Sequence, residues 1–104
     1  MPSSEVYALG DMPRFSAAFS VDGAATDPGI VKFLWRTPDG FEDDYTYGTD
    51  SELVKAGTGN YHVDLLLDAA GTWTMRWVSA GSCTSAEEFR LRVEPSAFTS
   101  PLAT

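Results

Sequence analysis

The stretch that decides the fold is GNYHVDLLLDAAGTWTMRW, residues 59–77. Apolar and polar residues alternate along its first half, and the alternation resumes in its second half. Such alternation predicts half-buried β-strands, because successive side chains leave opposite faces of the pleat. The apolar rows are Tyr61, Val63, Leu65 and Leu67, then Trp73, Met75 and Trp77. The short loop 68–71 between the rows contains Gly71, which predicts that the two strands form a hairpin in the middle of the core.

The same alternation recurs in shorter segments, with turn sequences such as Asp27-Pro28-Gly29 and Pro38-Asp39-Gly40 between them. Residues 41–47 are polar and charged, which indicates a strand at a sheet edge. One helical turn is expected at residues 50–55, where Asp50 or Ser51 can act as N-cap. The predicted strands lie in residues 6–9, 14–21, 31–36, 41–47, 61–67, 72–78 and 88–93.

Six or seven short strands without a long helix predict an all-β fold, an immunoglobulin-like antiparallel β-sandwich with extended N- and C-terminal arms. A small closed barrel is the alternative. With 104 residues, 43% of them hydrophobic, the chain is the size of one globular domain. We expect residues 1–94 to form the sandwich with its N-terminal arm, and residues 95–104 to form an extended tail.

The charge of the chain argues against two classes of partner. Fifteen acidic and seven basic residues give a net charge of −8, and no basic stripe is visible, so nucleic-acid binding is not expected. No run of about 18 apolar residues is present, so no membrane span is expected, and no secretion signal is visible. Cys83 is the only cysteine, which excludes an intrachain disulfide and predicts a small apolar filler in a loop.

The sequence offers little for catalysis or for cofactors. The single histidine, His62, lies on the outward parity of its strand beside Asp64, and no nucleophile-elbow sequence accompanies it. A solvent-facing structural histidine is therefore the preferred interpretation, and we expect no enzyme activity. One histidine and one cysteine cannot make a structural zinc site, and the acidic turns lack a calcium-loop pattern. No metal or other cofactor is expected.

The aromatic residues allow two interpretations. Trp35, Trp73 and Trp77 share their parity with apolar neighbours, which is typical of core positions. Tyr45 and Tyr47 lie on the polar strand instead. These two tyrosines are the candidate stacking residues if the protein is a glycan-binding module.

The sequence contains four longer patterns. They are LGD-x-x-R-F-S-A-x-F at 9–19, DPG-x-V-x-F-x-W-R-x-PDG at 27–40, Y-T-YGTD at 45–50 and G-x-Y-x-V-D-x-x-LDAAGTW-x-x-RW at 59–77. Together they resemble the small single-domain immunoglobulin-like proteins encoded among the structural genes of tailed bacteriophages. The resemblance covers roughly residues 5–94, and the antibody-type Cys–Trp–Cys core is absent.

The resemblance implies a structural virion component, assembled in the host cytoplasm and located in the virion. A capsid decoration or cement protein is the leading expectation, with the major capsid protein or other virion proteins as partners and many copies or a homo-oligomer per particle. A neck or tail accessory protein and a glycan-binding module are the alternatives. The residues expected to contact a partner, through the two termini and a sheet edge, are Pro2, Val6, Tyr7, Tyr45, Tyr47, Phe98 and Leu102.

Overall fold

The computed structural model of the protein describes residues 5–96, and no residue in that range is helical. The described chain forms ten β-strands. They are β1 (Glu5–Ala8), β2 (Arg14–Ala18), β3 (Ser20–Val21), β4 (Ala24–Ala25), β5 (Ile30–Arg36), β6 (Glu42–Thr46), β7 (Leu53–Gly57), β8 (Asn60–Asp64), β9 (Gly71–Ala80) and β10 (Ser85–Glu94).

The strands form two main sheets. The larger has the order β1-β10-β9-β5-β6, the smaller has the order β2-β8-β7, and β3 and β4 make a separate two-residue ribbon. Every neighbouring pair is antiparallel except β1 and β10, which run parallel. The predicted all-β sandwich is confirmed, with ten strands in the described residues in place of the six or seven expected. Residues 1–4 of the predicted N-terminal arm, and residues 97–104 of the predicted tail 95–104, lie outside the described residues.

The core lies between the inner faces of the two sheets. Strand β9 is its centre, because it is the middle strand of the larger sheet and supplies the buried Trp73, Met75 and Trp77. Trp73 is also fixed by its indole N–H, which donates to the Ala69 carbonyl at 2.8 Å. The predicted inward rows are confirmed. The buried hydrophobic residues are Phe15, Phe19, Val31, Phe33, Leu53, Tyr61, Val63, Leu65, Leu67, Trp73, Met75, Trp77, Leu91 and Val93.

The predicted hairpin within residues 59–77 is wrong, because its two strands belong to different sheets. Strand β8 pairs with β2 and β7, whereas β9 pairs with β10 and β5. Between them the backbone runs beside residues 11–13, with the Leu65 N–H donating to the Pro13 carbonyl at 3.2 Å and the Leu67 N–H to the Asp11 carbonyl at 2.8 Å. The apolar rows therefore face each other across the core instead of lying side by side.

The helical turn expected at residues 50–55 is also wrong. Residues 51 and 52 form a turn, and strand β7 begins at Leu53, which is 2% exposed. Asp50 does cap backbone groups, but of a β-turn: its carboxylate accepts from the Thr46 N–H at 2.9 Å. Burial of Leu53 in the core stabilises the strand more than the helix-capping signal favours a helix, because that signal is only a weak local preference.

Gly59 allows a close backbone approach that no other residue would tolerate. Its φ is +74°, and a Cβ placed there would lie 2.5 Å from the Phe19 carbonyl oxygen. The Phe19 N–H donates to the Gly59 carbonyl at 2.7 Å, so the approach is part of the hydrogen bonding between the two segments. Gly48 has a similar φ of +90° but has open space around it.

We therefore expect Gly59→Ala to destabilise the protein more than Gly48→Ala. Both variants carry the strain of a positive φ, about 1–2 kcal/mol, and only Gly59→Ala must also move backbone atoms, which adds about 1–3 kcal/mol. Urea unfolding of both variants and the parent chain measures the difference. Equal losses of unfolding free energy would contradict the close approach at Gly59.

Candidate protein interface

The first candidate edge is strand β1, at one side of the larger sheet. Among the described residues β1 pairs only with β10, and Val6 lies opposite Arg92 in that pair. Val6 is 59% exposed. Tyr7 points the other way, toward the interior, and its ring meets Phe15 edge-on with centroids 6.3 Å apart. Of the two predicted contact residues on this strand, Val6 is the one that presents apolar surface to solvent.

The second candidate edge is strand β6, at the opposite side of the same sheet. Tyr45 is half-buried, with its ring centroid 4.7 Å from that of Trp35. Burial, together with the charges of Glu52, Asp43 and Asp50, raises the pKa of Tyr45. The prediction that residues 41–47 form a charged edge strand is confirmed for Glu42–Thr46.

Tyr47 follows β6 and contacts the smaller sheet. It is 45% exposed, and its ring meets Tyr61 edge-on with centroids 5.3 Å apart. The structure thus divides the predicted contact residues between two opposite edges of one sheet. Pro2, Phe98 and Leu102 lie outside the described residues.

Asp27 is the most highly connected carboxylate in the described chain. Its oxygens accept from the Lys55 ammonium at 2.7 Å, from the Gly59 N–H at 2.7 Å and from the Tyr61 hydroxyl at 3.2 Å. Lys55, then the Gly59 N–H, lower the pKa of Asp27, and the hydrogen bond to Asp27 raises the pKa of Lys55. The ion pair links the loop before β5 to strand β7, and the Gly59 hydrogen bond links the same loop to the β7–β8 turn, so the role of Asp27 is structural.

His62 lies on the outer face of the smaller sheet, opposite Ser16 on β2 and Val54 on β7. The neighbouring Asp64 is engaged by Arg14, whose guanidinium donates to both carboxylate oxygens at 2.8 and 3.1 Å. Arg14 lowers the pKa of Asp64 first through these hydrogen bonds. The carboxylate that a catalytic His–Asp pair would need is therefore held by another residue.

Cys83 and the acidic turns show no further grouping of ligands. The Cys83 thiol is half-buried and points to the Ser20 carbonyl at 3.7 Å. Within residues 5–96, no cluster of three or more His, Cys, Asp or Glu side chains is placed to hold a metal ion. The same range contains no helix long and apolar enough to cross a membrane.

The outer face of the larger sheet has a cleft that the sequence did not predict. The cleft, of about 200 Å³, lies across β6, β5, β9 and β10. Its lining includes Leu34 and Thr74, three arginines and three acids. The charged residues are Arg36, Arg76, Arg90, Glu42, Asp43 and Glu88. The alternation of the sequence puts each arginine on an outward parity, but only the strand register brings the three together.

Comparison with known proteins identifies no family for this chain. Neither the protein-family models nor the curated proteins contain a match to this chain.

The connections of Asp27 predict a pH-dependent contribution to stability. Its folded-state pKa lies below the value of about 4 for an unfolded aspartate, so its contribution is fully present above that pH and is lost as pH falls through the folded-state pKa. We expect Asp27→Asn to be less stable than the parent at neutral pH, with the difference shrinking in acid.

Urea unfolding at a series of pH values from neutral to acidic measures this difference. Asp68→Asn is the matched control, because Asp68 is an exposed aspartate and the variant has the same net charge. A gap between Asp27→Asn and the parent that stays constant over the whole series would contradict the assigned ion pair.

Proposed function

We propose that this protein is a non-enzymatic structural component of a tailed-phage virion, a capsid decoration or cement protein that docks through its terminal segments and one sheet edge. The proposal rests on the resemblance of the four sequence patterns and on one observation in the fold. The described chain enters the sandwich on β1 and leaves it on β10, and these strands are hydrogen-bonded neighbours. Glu5 and Glu94, where the described strands end, therefore lie at opposite ends of the same sheet edge.

The exposure of Val6 supports β1 as the docking edge. An edge strand offers unpaired backbone groups to a partner strand, and natural proteins usually protect such edges with charge. Strand β6 has this protection in Glu42, Asp43 and Asp44, whereas the outward residue in the middle of β1 is a valine. The two edges therefore differ in chemistry, and β1 is the one suited to pairing with the major capsid protein or another virion protein.

The resemblance of residues 9–19 and 59–77 relates to turns and core. The Gly10 N–H donates to the Leu67 carbonyl at 2.9 Å, and Gly71 lies against Pro38, where a Cβ would come within 2.7 Å of the proline ring. These residues define the shape of the domain and leave its surface free for a docking role. The patterns are thus compatible with a capsid, neck or tail position.

The glycan-binding alternative receives no specific support from the tyrosines. Sugar stacking needs exposed ring faces, but Tyr45 is half-buried against Trp35, so of the two tyrosines only Tyr47, 45% exposed, presents its ring to solvent. The neck or tail position, in contrast, is a direct alternative outcome of the experiment that follows.

Immunogold labelling of virus-like particles from the source tests the location. An antibody is raised against the folded chain, and we expect label distributed over the heads in many copies. A single spot at the head–tail junction, or label along the tail, would move the protein to the neck or tail. Particles without label, both intact and gently opened, would overturn the virion role.

Substitution at the β1 edge tests the docking mode. We expect Val6→Lys to weaken binding of the purified chain to particles by at least about tenfold, or about 1.4 kcal/mol, because a lysine on an edge strand opposes strand pairing. Val54→Lys is the matched control, since Val54 is an exposed valine on β7 in the smaller sheet. Equal binding by the two variants would exclude β1 as the docking edge.

A further inference from the structure

We infer that the cleft on the outer face of the larger sheet is a docking site for a single acidic side chain, an aspartate or glutamate in a segment of a partner protein. This inference rests on the charges of the sheet face and does not require the virion role. It concerns a surface separate from the β1 edge proposed for docking.

The positive charge of the protein is concentrated on this face. Five of the seven basic residues lie there by strand parity, together with four acids, which leaves an excess of one positive charge. The rest of the molecule carries two basic and eleven acidic residues, a net charge of −9. The basic residues of the face are Lys32, Arg36, Arg76, Arg90 and Arg92, and its acids are Glu42, Asp44, Glu88 and Glu94.

The register places three arginines around one threonine. Thr74 on β9 lies opposite Arg90 on β10 and opposite Arg36 on β5. Arg76 is the next residue along β9 on the same face. Residues opposite one another in neighbouring strands have Cβ atoms about 5 Å apart, so the three side chains surround the half-buried Thr74.

Two of these arginines have an acidic partner and the third has none. Arg36 pairs with Glu42 at 2.5 Å, and Arg76 pairs with Glu88 at 3.3 Å. Arg90 is exposed and forms no ion pair within residues 5–96. A carboxylate above Thr74 would pair with Arg90 and lie close to the other two guanidiniums, which donate in a fork that matches a carboxylate.

The size and surroundings of the cleft select an isolated carboxylate. Its volume of about 200 Å³ is below the range of about 300–1,000 Å³ for pockets that hold whole small-molecule ligands. Glu42 and Asp43 on β6 and Glu88 on β10 also line the cleft, at its two sides, which leaves room for a single carboxylate beside Arg90. A continuous polyanion such as a nucleic acid would meet these acids on either side, and the net charge of −9 elsewhere would repel it.

Side-chain NMR of the full chain tests the site. The probe is the blocked pentapeptide Ser-Leu-Glu-Leu-Ser, and its control is the same peptide with glutamine for glutamate. We expect the glutamate peptide to shift the Nε–H signal of Arg90 and the amide signal of Thr74, with a millimolar dissociation constant, and the glutamine peptide to leave both unchanged. High salt should abolish the shifts, since the contact is between exposed charges.

Two variants make the test specific. We expect Arg90→Ala to weaken binding of the glutamate peptide about fivefold or more, because it removes the unpaired guanidinium. The amide signal of Thr74 measures binding in this variant. Arg14→Ala is the control, because it removes one positive charge from the smaller sheet and gives the same net charge. We expect Arg14→Ala to bind the glutamate peptide as tightly as the parent chain does.

Several outcomes would overturn the inference. They are equal weakening in the two variants, equal shifts from the two peptides, and no shift at about 5 mM peptide, where a millimolar site would be mostly filled. Tighter binding of a single-stranded oligonucleotide at the same signals would reject the acidic polypeptide segment as the occupant. The inference holds only if the glutamate peptide binds and Arg90→Ala selectively weakens it.

Discussion

Two apolar rows from adjacent stretches of the chain must face each other across the interior, and the rest of the structure depends on the crossing that makes this happen. Between Asp64 and Gly71 the backbone leaves the smaller sheet and enters the larger one. Hydrogen bonds to residues 11–13 hold the connection, and the Trp73 indole fixes its end at Ala69. Because of this crossing, β8 and β9 supply opposite walls of the core. Strands β2 and β7 pair with β8, and β5 and β10 pair with β9.

The alternation in the sequence predicted which side chains are buried but could not predict which strands are neighbours. Val63 and Met75 would point inward in a hairpin or in two facing sheets, so the apolar pattern is the same for both arrangements. The short loop with Gly71 favoured the hairpin, but the decisive contacts are with residues distant in sequence, such as Pro38. Leu53 gives the second lesson, since its burial overrode a helix-start signal at Asp50.

The candidate sites show the same limit for surface residues. Parity placed Arg36, Arg76 and Arg90 outside, and it placed Tyr45 on a polar strand. Their grouping depends on register across three strands, which no local pattern specifies. For the same reason the sequence could not show that Tyr45 packs on Trp35 or that Asp64 is held by Arg14. Of the predicted contact residues that the structure describes, Val6 and Tyr47 are exposed, at 59% and 45%.

The parallel pairing of β1 and β10 determines how the domain carries a mechanical load. Glu5 lies opposite Leu91 and Ala8 lies opposite Glu94, so the incoming end of one strand and the outgoing end of the other point in opposite directions. A pull on the two ends of the described chain slides these strands lengthwise past each other. All the hydrogen bonds between them then resist together in shear, whereas a hairpin pulled from its open end gives way one bond at a time.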